Sequence, residues 1–282
     1  MAEPTADEEA ELESSKAPLL KHLIELRNRI IRSVIAFLLC FIVCFYFARP
    51  IFAFLTQPLA DAFAGQPGRQ MIFTALYEQF FTYVKVGMFG AICLAFPYMA
   101  FQLWQFIAPG LYKHERKAFW PFLLATPVMF ILGAAFVYYL MLPRVIKFFL
   151  SYESQGGPES IRIELQAKVG EYLSFVMTLI FAFGFCFELP VLLVLLGRVG
   201  IVSSKGLAGA RRYAIVGVFA LAAVVTPPDV FSQLSLAFPL VGLYEISILC
   251  VKLIERQRAK AEAEAQAAEA AKAAAARNIQ PT

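Results

Sequence analysis

The chain has 282 residues, is 60% hydrophobic and only 16% charged, and carries a net charge of +4 with a mean hydropathy of +0.66. A water-soluble domain of this size needs more charge to face solvent, so a soluble globular protein is excluded. The apolar residues come in long runs rather than short alternating segments, which excludes a transmembrane β-barrel and predicts a polytopic all-α membrane protein.

Residues 1–17 are acidic, with Glu8, Glu9, Glu11 and Glu13 crowded together. They predict a disordered leader, and they lack the basic start and the cleavage site of a signal peptide. The first span is "IIRSVIAFLLCFIVCFYFA", Ile30 to Ala48. A loop with Pro50, Pro58, Pro67 and Gly68 follows, and its start, "RPIFAFLTQPL", is aromatic enough for the membrane interface. The second span runs from about Tyr77 to Ile107, longer than a ~30 Å hydrocarbon core needs, and predicts a tilt or a kink at Pro97. The third runs from about Ala118 to Leu142, and the fourth from about Glu171 to Gly197.

The last two spans are expected to be short. "YAIVGVFALAAVV", Tyr213 to Val225, covers roughly 20 Å as a helix. The tight polar turn "TPPDVFSQ" leads into a sixth span from about Leu234 to Val251. The tail, residues 255–282, is rich in Ala, Glu and Lys and reads as a solvated, optional helix, which leaves residues 18–254 as the membrane domain.

Positive charge sets the expected topology. With six spans and the N-terminus inside, 18 of the 25 Lys and Arg residues fall on the inner side. Seven stay outside: Arg49, Arg69, Lys85, Arg144, Lys147, Arg162 and Lys168. That bias predicts both termini in the cytoplasm.

Several acids need a reason to be where they are. Glu25 in "HLIELRNRI" and Glu115 in "LYKHERK" lie among basic residues. Each has a plain reading as a local ion pair, Glu25 with Arg29 at i+4 and Glu115 with its neighbours. Glu188, in "FAFGFCFELPVLLVLLG", is buried in apolar sequence, where a carboxylate costs on the order of 3 kcal/mol. Pro190 leaves the carbonyl of Cys186 without its helical partner, a second polar point at depth. Glu188 therefore reads as a contact facing a cavity or a partner. Glu245 lies in the last span with no partner evident from sequence, and Asp229 and Gln233 read as interfacial groups. The five cysteines lie in apolar runs without CxxC pairs. Neither nucleotide-binding nor metal-ligating motifs occur, and the two histidines, His22 and His114, are outside the spans. No catalytic residue, metal or cofactor is expected.

Five segments occur in one order: "HLIELRNRI", "TQPL", "FQLWQFIAPGLYKHER", "EYLSFVMTLIFAFGFCFELPV" and "VTPPDVFSQ". Together, from about Pro18 to Val251, the chain resembles the TatC family, the multispanning core of the twin-arginine protein translocase. The resemblance implies six spans in a cupped, glove-like arrangement in the cytoplasmic (inner) membrane. It implies a receptor for twin-arginine signal peptides of folded precursors that assembles TatA-type and TatB-type single-span partners, with several copies of itself, and uses the proton-motive force. By position, Glu25 and Glu115 match the family's twin-arginine-binding acids, with Arg27, Phe106 and Pro109 beside them. Glu188 matches the intramembrane acid and Gln233 the polar residue near the partner contact. Pro58 matches the proline of the first outer loop, and Pro97 falls with them among the residues expected at intramembrane or partner contacts. The competing reading from the residues alone is a proton-coupled small-solute transporter with Glu188 as its proton site; a membrane-embedded hydrolase or transferase lacks a nucleophile and base.

Overall fold

The computed structural model of the chain describes residues 6–64, 68–107, 120–154, 156, 161–226 and 229–277. Among them the regular structure is helical: α1 (Ala6–Tyr46), α2 (Ala48–Ala62), α3 (Glu78–Ile107), α4 (Trp120–Ala135), a π-helical segment (Phe136–Met141), α5 (Leu142–Leu150), α6 (Val169–Cys186), α7 (Glu188–Val199), α8 (Ser204–Val225) and α9 (Val230–Arg277). Six stretches of the described residues are long and apolar enough to cross a bilayer: His22–Tyr46, Glu78–Phe106, Phe122–Leu150, Val169–Val199, Ser204–Val225 and Val230–Ala268. The helix α1 begins at Ala6, inside the stretch expected to be a disordered leader.

Proline explains where two helices break. A proline has no N–H for the carbonyl four residues earlier. Pro50 therefore orphans Tyr46, and Pro190 orphans Cys186, and these are the last residues of α1 and α6. One turn residue follows each, Phe47 and Phe187, and the next helix starts immediately. In the third span the ladder shifts instead. The N–H of Leu142 bonds Val137 O, five residues back, just before Pro143. This π segment carries the span on to Leu150, past the expected end at Leu142. Pro97 does not interrupt α3.

Two compact units can be separated, Met1–Val128 with Phe149–Met177, and Met129–Phe148 with Thr178–Thr282. In the first, α1 and α2 pack on α3. The closest approach is at Gly87 and Gly90 of α3. A Cβ on Gly87 would stand 3.2 Å from the Cα of Phe45, and one on Gly90 3.3 Å from the Cβ of Cys44. Small residues at such crossings let helices exchange dispersion contacts where lipid offers no hydrophobic drive. The loops at the far end of this unit are pinned together. Ile72 donates to Ala167 O at 3.0 Å, Val169 donates to Ile72 O at 2.9 Å, and Ser154 and Ile163 exchange both backbone bonds. The Arg69 guanidinium clasps both carboxylate oxygens of Glu153, while Leu165 N–H donates to the same carboxylate at 2.8 Å. Glu78 accepts from the N–H groups of Thr74, Ala75 and Gly170.

In the second unit α4 and α6 meet at Gly133 and Gly184. A Cβ on Gly133 would fall 2.6 Å from Phe183 O, and one on Gly184 2.5 Å from the Phe130 ring. Leu207, Tyr244, Ile248 and Val251 form a buried cluster joining α8 to α9, with Leu193 and Val194 of α7 against it. Gly200 ends α7 in the left-handed region at φ +82°, with Ile201 N–H returning to Leu196 O at 3.0 Å.

The expectation of short fifth and sixth spans holds for the apolar runs but not for the helices that carry them. The helix α8 has 22 residues, about 33 Å, and starts nine residues before Tyr213. Its start is set by polar capping rather than hydrophobicity. Ser203 accepts from Gly206 N–H at 3.1 Å, and Glu255 of α9 accepts from Ser204 N–H at 2.8 Å and from its hydroxyl. The sixth apolar run is likewise one part of the 48-residue α9, about 72 Å long.

Candidate functional site

The helix α1 presents Glu25, Asn28, Arg29 and Arg32 at spacings of three and four residues, so all lie along one side. With Ile24 they line a groove. The α3 side contributes Gln102 and Gln105, also three residues apart. The Arg29 guanidinium joins the two helices. Its Nε and Nη2 donate to Glu25 Oε1 at 3.1 and 2.5 Å. Its Nη1 donates to Gln105 Oε1 at 2.7 Å and Gln102 Oε1 at 3.3 Å. Arg29 keeps only 16% of its side chain exposed, whereas Glu25 keeps 35%, so the acid is the more open member of the pair. One turn earlier His22 stacks on Phe106, with centroids 4.2 Å apart and planes at 19°.

The structure thus brings Glu25 and Phe106 into one neighbourhood where α1 passes α3. Arg27 points elsewhere: it is exposed and donates to Asn28 Oδ1 at 3.3 Å. Glu115 and Pro109 lie outside the described residues. Sequence reasoning missed Gln102, Gln105 and His22. The available signal was a pair of glutamines on one face of an otherwise apolar span. Chemically, the groove offers a carboxylate already bonded to a guanidinium, with neutral amide oxygens beside it.

The second unit holds the intramembrane candidates. Glu188 is the first residue of α7, directly after the break that Pro190 enforces at Phe187. The side chain is half-buried, with Oε1 fully enclosed. The adjacent Phe187 ring packs on Phe136, with centroids 5.9 Å apart, and Phe136 packs on Phe183 at 5.5 Å. Gln233, one turn into α9, donates through Nε2 to Phe219 O of α8 at 3.3 Å, and so ties the α8–α9 hairpin together. Asp229 caps α9 by accepting Ser232 N–H at 2.6 Å. Glu245, whose partner was open, forms a two-point pair with Arg211 of α8, at 2.7 and 2.8 Å. Pro58 is buried in α2, and Pro97 stands on an exposed face of α3.

Six bilayer-length helical stretches among the described residues, with polar groups at helix breaks and ends, define a multi-pass α-helical membrane protein. The family profile described as Sec-independent protein translocase protein (TatC) matches residues 21–239. A Sec-independent protein translocase protein TatC of Magnetococcus marinus is 49% identical over 244 residues, 86% of this chain and 87% of that protein. Its counterpart in Escherichia coli is 39% identical over 231 residues, 82% of this chain and 86% of that protein. A crystal structure of the twin-arginine translocase receptor TatC superposes with a TM-score of 0.71 at 38% identity, covering 83% of this chain and 99% of that one. The chain belongs to the TatC family of Sec-independent protein translocase proteins.

Proposed function

We propose that this protein is the signal-peptide receptor of a twin-arginine translocase and that Glu25, together with Glu115, takes the two arginines of the signal. The observation that supports it most is the guanidinium already seated on Glu25 in a groove at the α1–α3 contact. An arginine is planar, always charged and able to pair with a carboxylate through two parallel hydrogen bonds; lysine matches the charge but not the fork. At a membrane-interface dielectric a pair at ~4 Å gains up to about 4 kcal/mol before desolvation. The apolar stretch of a signal peptide then adds affinity along α3 or lipid without sequence reading. Phe106, stacked on His22 one turn from Glu25, offers such a stretch an aromatic surface; Arg27 and Pro109 are given the same binding role by their positions in the family pattern.

The remaining roles follow the family. Glu188 and Gln233, with Pro58 and Pro97, serve the assembly of TatA-type and TatB-type single-span partners around several copies of this chain. The membrane is the cytoplasmic (inner) membrane. Both termini are cytoplasmic, which places 18 of 25 basic residues inside. Residues 18–254 form the membrane domain, residues 1–17 a leader and residues 255–282 an appended tail.

Export of a folded twin-arginine reporter tests the reading. The double variant Glu25→Ala, Glu115→Ala inserts normally and loses export; normal export by that variant contradicts the assignment.

A further inference from the structure

We infer that Arg29 is a resident occupant of the signal-arginine site, a built-in competitor that an incoming arginine must displace from Glu25 and that Gln102 and Gln105 hold ready beside it. This rests on the receptor reading above and adds an affinity threshold to it.

The geometry carries the inference in three parts. First, Arg29 concentrates two of its nitrogens on one oxygen, Glu25 Oε1. A fork-to-fork pair needs both carboxylate oxygens, so a ligand arginine cannot form one while Arg29 stays. Second, Arg29 is not a simple neighbour pair on one helix. Its third contacting nitrogen, Nη1, reaches across to Gln105 and Gln102 of α3. A pair serving only α1 would have no use for acceptors on another helix. Third, those acceptors are neutral amides. They solvate a guanidinium without matching a carboxylate, so they retain Arg29 after displacement and do not draw it from Glu25 beforehand. Arg29 can leave Oε1 while its anchor on α3 remains.

A threshold for binding follows. Displacing a guanidinium that makes two bonds to Glu25 requires a ligand that replaces both. A second arginine does so. A lysine ammonium brings charge at a single point and leaves the exchange unfavourable. The competitor raises the affinity any ligand needs to hold the site, while discrimination against lysine rests on the fit to Glu25.

The test is a binding titration of the full chain in lipid nanodiscs with fluorescent signal peptides bearing Arg-Arg or Lys-Lys. Arg29→Gln should tighten Arg-Arg binding about fivefold, in line with the upper strength of an ion pair that solvent still reaches. It should tighten Lys-Lys binding by the same factor, because both peptides are relieved of one competitor. Arg29→Lys should fall between. Gln102→Leu with Gln105→Leu should weaken Arg-Arg binding about threefold, because displaced Arg29 loses its receiving bonds, and this effect should vanish in the Arg29→Gln background. Unchanged or weaker Arg-Arg binding by Arg29→Gln overturns the inference, as does a glutamine effect that persists without Arg29. A second readout needs no peptide: modification of Glu25 by a water-soluble carbodiimide, read by mass spectrometry, should rise several-fold in Arg29→Gln. An unchanged rate overturns the occupancy. No saturable peptide binding by the unmodified protein overturns the receptor reading instead, and the carbodiimide result then judges Arg29 by itself.

Discussion

Gly133→Ala is the single-atom change with the largest expected consequence. The new Cβ would sit 2.6 Å from Phe183 O, 2.9 Å from its carbonyl carbon and 3.0 Å from the Phe187 ring. Backbone atoms cannot swing aside as a side chain does. The α4–α6 contact must open by roughly 0.8 Å to restore ordinary separation, and Phe183, fully buried, is pulled with it. Overpacking of this kind costs about 1–3 kcal/mol, and a clash with backbone belongs near the upper end. The displacement also reaches the proposed partner contact, because Phe187 immediately precedes Glu188. Thermal unfolding of the purified protein in detergent should show a clear loss of stability, and assembly with the single-span partners should fall in parallel. Gly217→Ala is the matched control. Nothing lies within 4 Å of that position, so it should be neutral or stabilising by up to about 1 kcal/mol through helix propensity. Equal melting of Gly133→Ala and the unmodified protein would refute the reasoning.

Glu188→Ala should leave signal-peptide binding intact and reduce co-purification of the single-span partners; unchanged recruitment removes Glu188 from that role. The Arg69–Glu153 clasp predicts a pH dependence. The Arg69 hydrogen bond, helped by Leu165 N–H, holds the Glu153 carboxyl below the usual carboxylate range. A depressed acid contributes its full stabilisation above the ordinary unfolded value of about 4.3 and loses it as pH falls through the lower folded value. Protection factors at Ser154 and Ile163, which divide out the pH dependence of intrinsic exchange, should therefore stay high from neutral pH to about 5 and fall only at stronger acidity. In Glu153→Gln the exchange should be fast already at neutral pH; a protected, pH-independent loop in that variant would contradict the clasp.

Features written locally in the chain were legible from it. The runs of apolar residues located all six spans, and the i+4 spacing of Glu25 and Arg29 anticipated their ion pair. Pro190 marked the unpaired carbonyl of Cys186, because its missing N–H acts four residues away, although the helix break there was not anticipated. Contacts between distant segments left no such mark. Arg69 meets Glu153 across 84 positions and Arg29 meets Gln105 across 76, and in each case either residue reads alone as an ordinary surface group. The start of α8 was misplaced for a related reason. Hydropathy marks Tyr213, but the helix is nucleated upstream by Ser203 and by Glu255, which arrives from another helix. Likewise, a glycine in an apolar run does not announce whether it faces open space, as Gly217 does, or a carbonyl, as Gly133 does.

Site-specific photocrosslinking of a twin-arginine signal peptide, with the probe beside the arginine pair, tests the central claim most directly. The account predicts labelling around Glu25 on α1 and around Glu115, from the cytoplasmic side, abolished when the pair is Lys-Lys. Labelling confined to other regions, equal labelling by the lysine peptide, or exposure of either carboxylate on the opposite side of the bilayer would contradict it.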